Sequence, residues 1–150
     1  MIDHCKKTAE IVKNTAVLIN EKQEEKIDVN RVYATALLHD VARNFKFHAE
    51  KGGEILKGAG YTTVSEIINI HHNLTKVEEN IITETELLYW ADKRLKDTEI
   101  VSVEQRFKEA KAKCNGYEAT KRMEQRFRSA KAIEEKIVAL IGEDPYACRD

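Results

Sequence analysis

Ala36-Leu37-Leu38-His39-Asp40-Val41-Ala42-Arg43, ALLHDVAR, sets an imidazole beside a carboxylate at the end of an apolar run. A His and an Asp withdrawn from water each need a partner, so the pair either completes a hydrogen-bond network or binds something positive. Asp28 can cap a helix running through VNRVYATALLHDVAR, with Val32, Ala36 and Leu37 near one face, and this helix ends at the pair. Upstream, Ala9, Ile11, Val12, Ala16, Leu18 and Ile19 recur at helical spacing from Asp3 to Lys22, with Asp3 available as a cap and His4 in the first turn.

Downstream, a third helix is predicted from His48 to Lys57, stopped by Gly58 and Gly60, both suited to a left-handed C-terminal cap. Gly52 and Gly53 inside it point to close packing or to backbone approaching a ligand. TVSEIINIHH reads as a fourth helix, with Thr63 and Glu66 as a capping box, Ile67, Ile68 and Ile70 as apolar contacts, and His71-His72 at its end. TETELLYWADKRL is a fifth, carrying Leu87, Leu88, Trp90 and Ala91 around Asp92. EQRFKEAKA at 104–112 is echoed by EQRFRSAKA at 124–132 across an Asn115-Gly116 turn, which gives a helical hairpin anchored on the core by Phe107 and Phe127.

One proline, six glycines and an abundance of Ala, Leu, Ile, Glu and Lys favour an all-α protein, with no strand alternation in competition. No linker-like stretch precedes residue 142, so the 150 residues read as a single domain. A net charge of -1 advertises no nucleic-acid partner, and the local Lys and Arg excess between Lys93 and Ile141 reads as a solvated helix face. Cys5, Cys114 and Cys148 are widely spaced and odd in number, as expected of reduced thiols in a cytoplasmic protein. MIDHCKK lacks a signal-peptide core and no run is long enough to span a bilayer, so no membrane partner is expected. Ile137 and Leu140 read as exposed apolar positions that could serve a homodimer as easily as the core.

All five histidines, His4, His39, His48, His71 and His72, fall in the first half, each near a predicted helix end. Helix ends in a bundle share layers, where side chains from several helices converge. A lone His in such a place is more often a satisfied core residue than a ligand; five, with Asp40 and Asp92 isolated on apolar segments, point to a metal site. Neutral imidazole with carboxylate suits Fe, Mn, Co, Ni or Zn, whereas Mg alone would ask for more oxygen. Neighbours on a helix diverge, so His39 and Asp40 would straddle one metal or reach two, with Asp40 able to bridge.

The ordered set His4, His39-Asp40 and Asp92 resembles the HD-domain superfamily of metal-dependent phosphohydrolases. ALLHDVAR resembles its ALLHDIGK-type segment, HAEKGGEIL its HPEIGAEIL-type segment and LYWADKRL its final aspartate helix; the likeness covers roughly residues 3 to 95. IVSVEQRF further resembles small bacterial members, some joined to molybdenum-cofactor-type nucleotidyltransferases. The resemblance implies a compact helical bundle of the HD-domain type with the C-terminal helical hairpin packed on it: a metal-site core over about 3–95, a helical extension over about 99–141 and a short tail at 142–150. It implies that His4, His39, Asp40 and Asp92 hold one divalent transition metal, and that Asp40, His48 and either His71 or His72 hold a second where two are bound. Members that split symmetric dinucleoside tetraphosphates carry a similar His-rich set. The chain begins three residues before His4, where relatives often carry another helix, so a truncated start or a more open site is expected.

The implied activity is hydrolysis of a phosphoester or phosphoanhydride by metal-activated water, on a phosphorylated small molecule of nucleotide type. Asp40 would position the nucleophile and Arg43, standing where a Lys is common, or Lys51 would steady the phosphate, with Glu50 as a candidate acid or base. Lys93 beside Asp92 is a further candidate. No Gly-Tyr-Pro signature of the cyclic-di-GMP branch is present, which disfavours that substrate. The alternative is a non-catalytic metal- and nucleotide-binding regulatory module acting through the C-terminal helices. A third reading is a helical interaction module with structural histidines.

Overall fold

The structure is a computed structural model describing residues 1–147, so Cys148 and the end of the tail lie outside the described residues. In chain order the elements are α1 (Ile2–Lys22), α2 (Val29–Leu38), α3 (His48–Gly58), α4 (Thr62–Ile70), α5 (Glu84–Lys93), β1 (Leu95–Lys96), β2 (Glu99–Ile100), α6 (Val103–Ala112) and α7 (Tyr117–Ile141). The fold is therefore all-α but for one antiparallel hairpin, Leu95 opposite Ile100 and Lys96 opposite Glu99, which alternation could not reveal in strands of two residues. No helix among the described residues is long and apolar enough to cross a membrane.

α1 packs along α2, α5 and α7, and its buried face of Thr8, Ala9, Ile11, Val12, Thr15, Ala16 and Ile19 mixes small and branched side chains that let neighbours approach. α5 is enclosed over consecutive residues, Glu86 to Ala91, because α1, α4 and α7 surround it. Burying polar side chains there demands partners. Trp90 Nε1 donates to Glu134 at 3.1 Å, Tyr89 Oη to the Arg126 carbonyl at 3.0 Å, and Glu86 pairs with Lys136. α6 and α7 form the expected hairpin, with Phe107 and Phe127 edge to face at 5.5 Å.

Caps decide where the helices begin. Asp28 accepts the Arg31 amide at 3.0 Å, Thr83 the Glu86 amide at 3.2 Å, and Ser102 with Gln105 completes a reciprocal box. Asp3 does not cap α1, which starts a residue earlier behind Met1, and its charge lies in the first turn instead. Thr63 and Glu66 form no capping box either, because α4 starts at Thr62 and Thr63 is already inside it. The glycine expectation divides similarly. Gly60 takes a left-handed φ of 93°, whereas Gly58 is the last helical residue and Ala59 the cap. Gly52 and Gly53 serve packing: a Cβ on Gly53 would lie 3.1 Å from Asn69 Cβ, and one on Gly52 would lie 3.2 Å from Ile68 Cγ2.

Two expectations about apolar exposure are corrected. Leu37 is 37 % exposed, since α2 buries Val32, Thr35 and Ala36 instead. Of the two uses open to Ile137 and Leu140, the core takes both: Ile137 is fully buried and Leu140 packs against the core, partly buried.

Arg94 ties the C-terminal segment to this core. Its guanidinium, 1 % exposed, donates to the Val101 carbonyl at 2.7 Å, to Asp144 at 2.8 Å and to the Tyr146 carbonyl. Removing one side of a buried, hydrogen-bonded charge pair costs about 3–5 kcal/mol. Arg94→Ala is expected to lower unfolding free energy in urea by that amount, and Arg94→Lys by less; unchanged stability would show that the Arg94 network does not hold the tail.

Candidate metal centre

His39 caps the C-terminus of α2 and His71 that of α4, and the two use one local device. A helix end leaves carbonyls without amide partners, and each ring turns back to donate Nδ1–H to the carbonyl three residues earlier: His39 to Ala36 and His71 to Ile68, both at 2.6 Å. A carbonyl only accepts, so the proton sits on Nδ1 and Nε2 presents a lone pair. His4, in the first turn of α1, is oriented likewise by the Asp97 carbonyl at 2.7 Å. Asp97 has a φ of 55°, the left-handed value that the tight β1–β2 turn demands.

These rings converge with the carboxylates. His39 Nε2 lies 3.6 Å from Asp40 Oδ2 and 3.5 Å from Asp92 Oδ1, and His4 Nε2 lies 3.0 Å from the same Asp92 oxygen. Asp40 turns its other oxygen to His48 Nε2 at 3.8 Å and His71 Nε2 at 3.9 Å. Two groups able to hold a metal ion result, His4 with His39 and Asp40, and Asp40 with His48 and His71. Asp40 is common to both, and Asp92 closes on the first. The His71-or-His72 alternative divides cleanly in space: His71 joins the second group, and His72 stands beside it with its ring 5.0 Å from that of His48.

With Nδ1 committed, His39 Nε2 is buried without a hydrogen-bond partner while facing two carboxylates. Lone pairs meeting anions require a cation among them, either a proton or a metal. Burial by itself depresses the His39 pKa, but Asp92, Cys5 and Asp40 together reverse this and raise it well above the ordinary imidazole value. Burial likewise disfavours ionised Asp92, yet Lys93, His39 and His4 hold its carboxyl well below the usual range. Asp40 is also lowered, against its burial, chiefly by His39 and Arg43. Burial pushes His71 down to about 4 and His72 to about 3, so both are neutral at pH 7. Ionised carboxylates with neutral imidazoles form the donor set a divalent transition metal takes, and the orphaned Nε2 of His39 fits that role.

The centre opens on a cavity of about 720 Å³. Arg43 and Lys93 line it, Arg43 bound to Asp40 at 2.8 Å and Lys93 to Asp92 at 2.8 Å. Glu50 and Lys51 are not brought in, contrary to expectation. Glu50 is exposed on α3, rotated away from His48, and the Lys51 ammonium turns to Glu54 at 3.3 Å. The Asp97 carbonyl was not recognisable from residue types, since any residue supplies a carbonyl and only the turn aims this one at His4.

A buried neutral histidine takes its proton later than the unfolded chain does on acidification. The His71 contribution is thus fully present above its unfolded pKa of about 6.5 and lost as pH falls toward 4. His39 acts above pH 6.5 and the aspartates below their ordinary range, so neither sets the change within this window. Chelator-treated protein is expected to lose at least about 2 kcal/mol of urea stability between pH 6.5 and 4.5, and His71→Asn to reduce that loss. Equal stability at the two pH values would contradict a neutral, buried His71.

Neither the curated proteins nor the solved structures yield a match to the chain. A family model described as HD domain matches residues 1–97, the span running from His4 through the His39-Asp40 pair to Asp92 and the Asp97 turn. With both ligand groups inside a match that covers well over half of its length, the chain belongs to the HD-domain family.

Proposed function

We propose that this chain is a metal-dependent phosphohydrolase that cleaves a phosphoester or phosphoanhydride in a nucleotide-type substrate. The observation that carries the reading is the position of Asp40, shared by two His-containing groups on the wall of a cation-lined cavity. Membership of the HD-domain family agrees with it. The volume of about 720 Å³ is in the range that accommodates a whole small molecule rather than a lone phosphate.

In this reading His4, His39, Asp40 and Asp92 hold one divalent transition metal, and Asp40, His48 and His71 hold a second when two are bound. Such a metal, Fe, Mn, Co, Ni or Zn, supplies a low-pKa water and a positive charge toward phosphoryl oxygens. Asp40 orients the attacking water through oxygens that face the two groups separately. Arg43 keeps one guanidinium nitrogen on Asp40, and its 57 % exposed side chain leaves the remaining donors for a forked grip on phosphate. Lys93 fixes Asp92 in its ionised state. Glu50 and Lys51 have no part in this arrangement. Free thiols at Cys5 and Cys114 agree with a cytoplasmic setting.

Protein loaded with Mn, Co or Fe should turn over members of a nucleotide panel, with release of phosphate or nucleotide followed by chromatography. Asp40→Ala should lose more than the about 10–100-fold that removing a supporting residue around a metal costs. Binding of nucleotides without turnover under any metal would refute hydrolysis and favour the regulatory module.

A further inference from the structure

We propose that Arg106 of α6 and Lys113 at its C-terminal cap, both beyond the family match, form a second anion subsite that takes a phosphate distal to the one at the metal centre. The ligand class is then an anhydride-linked phosphate chain, preferred over a single phosphate. This identification of the ligand rests on the phosphohydrolase reading of the centre.

One cavity is lined both by His4, Asp40 and Asp92 and by Arg106 and Lys113. Five cationic side chains and four carboxylates line it. Three of the cations are committed to carboxylates of the same cavity: Arg43 to Asp40 at 2.8 Å, Lys93 to Asp92 at 2.8 Å and Lys96 to Glu109 at 3.0 Å. Arg106 and Lys113 make no side-chain hydrogen bond or ion pair among the described residues.

Arg106 is the more telling of the two. Its Nε is buried and has no acceptor, although the side chain borders a polar cavity. A guanidinium N–H shielded from water and left unpaired is costly, so a structural role would be expected to give it a carbonyl or carboxylate. The nearby carboxylate, Glu109, is instead taken up by Lys96. A phosphate oxygen supplies the missing acceptor, and the planar fork matches a phosphate edge. Lys113 at the C-terminal cap of α6 is exposed and adds a positive charge to the same cavity. A divalent metal at the ligand groups would leave the cavity lining net positive, as a phosphate chain requires.

The test is calorimetric titration of full-length, metal-replete protein with inorganic tripolyphosphate and with orthophosphate, metal content being measured before and after. The parent should bind tripolyphosphate at least about tenfold more tightly than orthophosphate. Arg106→Gln should lose about tenfold for tripolyphosphate and less than about twofold for orthophosphate, with Arg106→Lys between, at unchanged metal content and melting temperature. Lys113→Gln, at an exposed position, should lose about threefold for tripolyphosphate and carries the test if Arg106→Gln does not fold. Unchanged tripolyphosphate affinity in the folded variants, or equal losses for both anions, would overturn the subsite, as would absence of tripolyphosphate binding to the parent. Failure of the hydrolase reading has a different signature: Arg106-dependent tripolyphosphate binding persists, and the nucleotide panel shows no turnover.

Discussion

An imidazole locked with its lone pair toward two carboxylates, inside a helical bundle, is the constraint around which this molecule is arranged. His39 is 0 % exposed, its Nδ1–H is spent on the end of its own helix, and its Nε2 faces Asp40 at 3.6 Å and Asp92 at 3.5 Å. Such an arrangement tolerates only a cation at that point. A proton satisfies it in the metal-free chain, and a divalent metal satisfies it with further donors already in place. Packing serves this end: α1 delivers His4, α2 ends at His39, α4 ends at His71 and α5 carries Asp92 past all three.

The helix termini do two things at once. Each leaves carbonyls in need of donors, and a histidine placed at the end meets that need while fixing its own tautomer. The same short device recurs at His39 and His71, so two helices of unrelated sequence present equivalent nitrogens to one aspartate. The third ring, His4, cannot use its own helix because it lies at an N-terminus, where amides rather than carbonyls are free. The β1–β2 turn supplies the carbonyl instead, through the left-handed Asp97.

Much of this was legible in the residues. Periodic apolar positions outlined the helices because a buried stripe leaves a 3.6-residue signature, and Asp28 marked the start of α2 with a side chain that can accept an amide proton. The clustering of histidines at helix ends disclosed the centre, since ends of packed helices meet. What escaped notice was whatever depends on tertiary direction rather than residue type. Glu50 and Lys51 share a short helix with His48 yet face elsewhere, Ile137 is covered only because α7 lies against α1 and α5, and Thr63 loses its capping role to a one-residue shift. Arg106 escaped for the same reason: in the echoed EQRF segments it resembles Arg126, but Arg126 bonds Asn73 on the surface at 3.0 Å whereas Arg106 borders the cavity.

The whole arrangement turns on Asp40 joining two ligand groups around a cation. Its most direct measurement is the divalent-metal content, by elemental analysis, of the chain purified without a metal-binding tag, alongside folded Asp40→Ala. One to two transition-metal ions per chain in the parent, lost from the variant, is the predicted result. A parent well below one ion per chain that Fe or Mn cannot restore, or a variant that keeps the full complement, would contradict it.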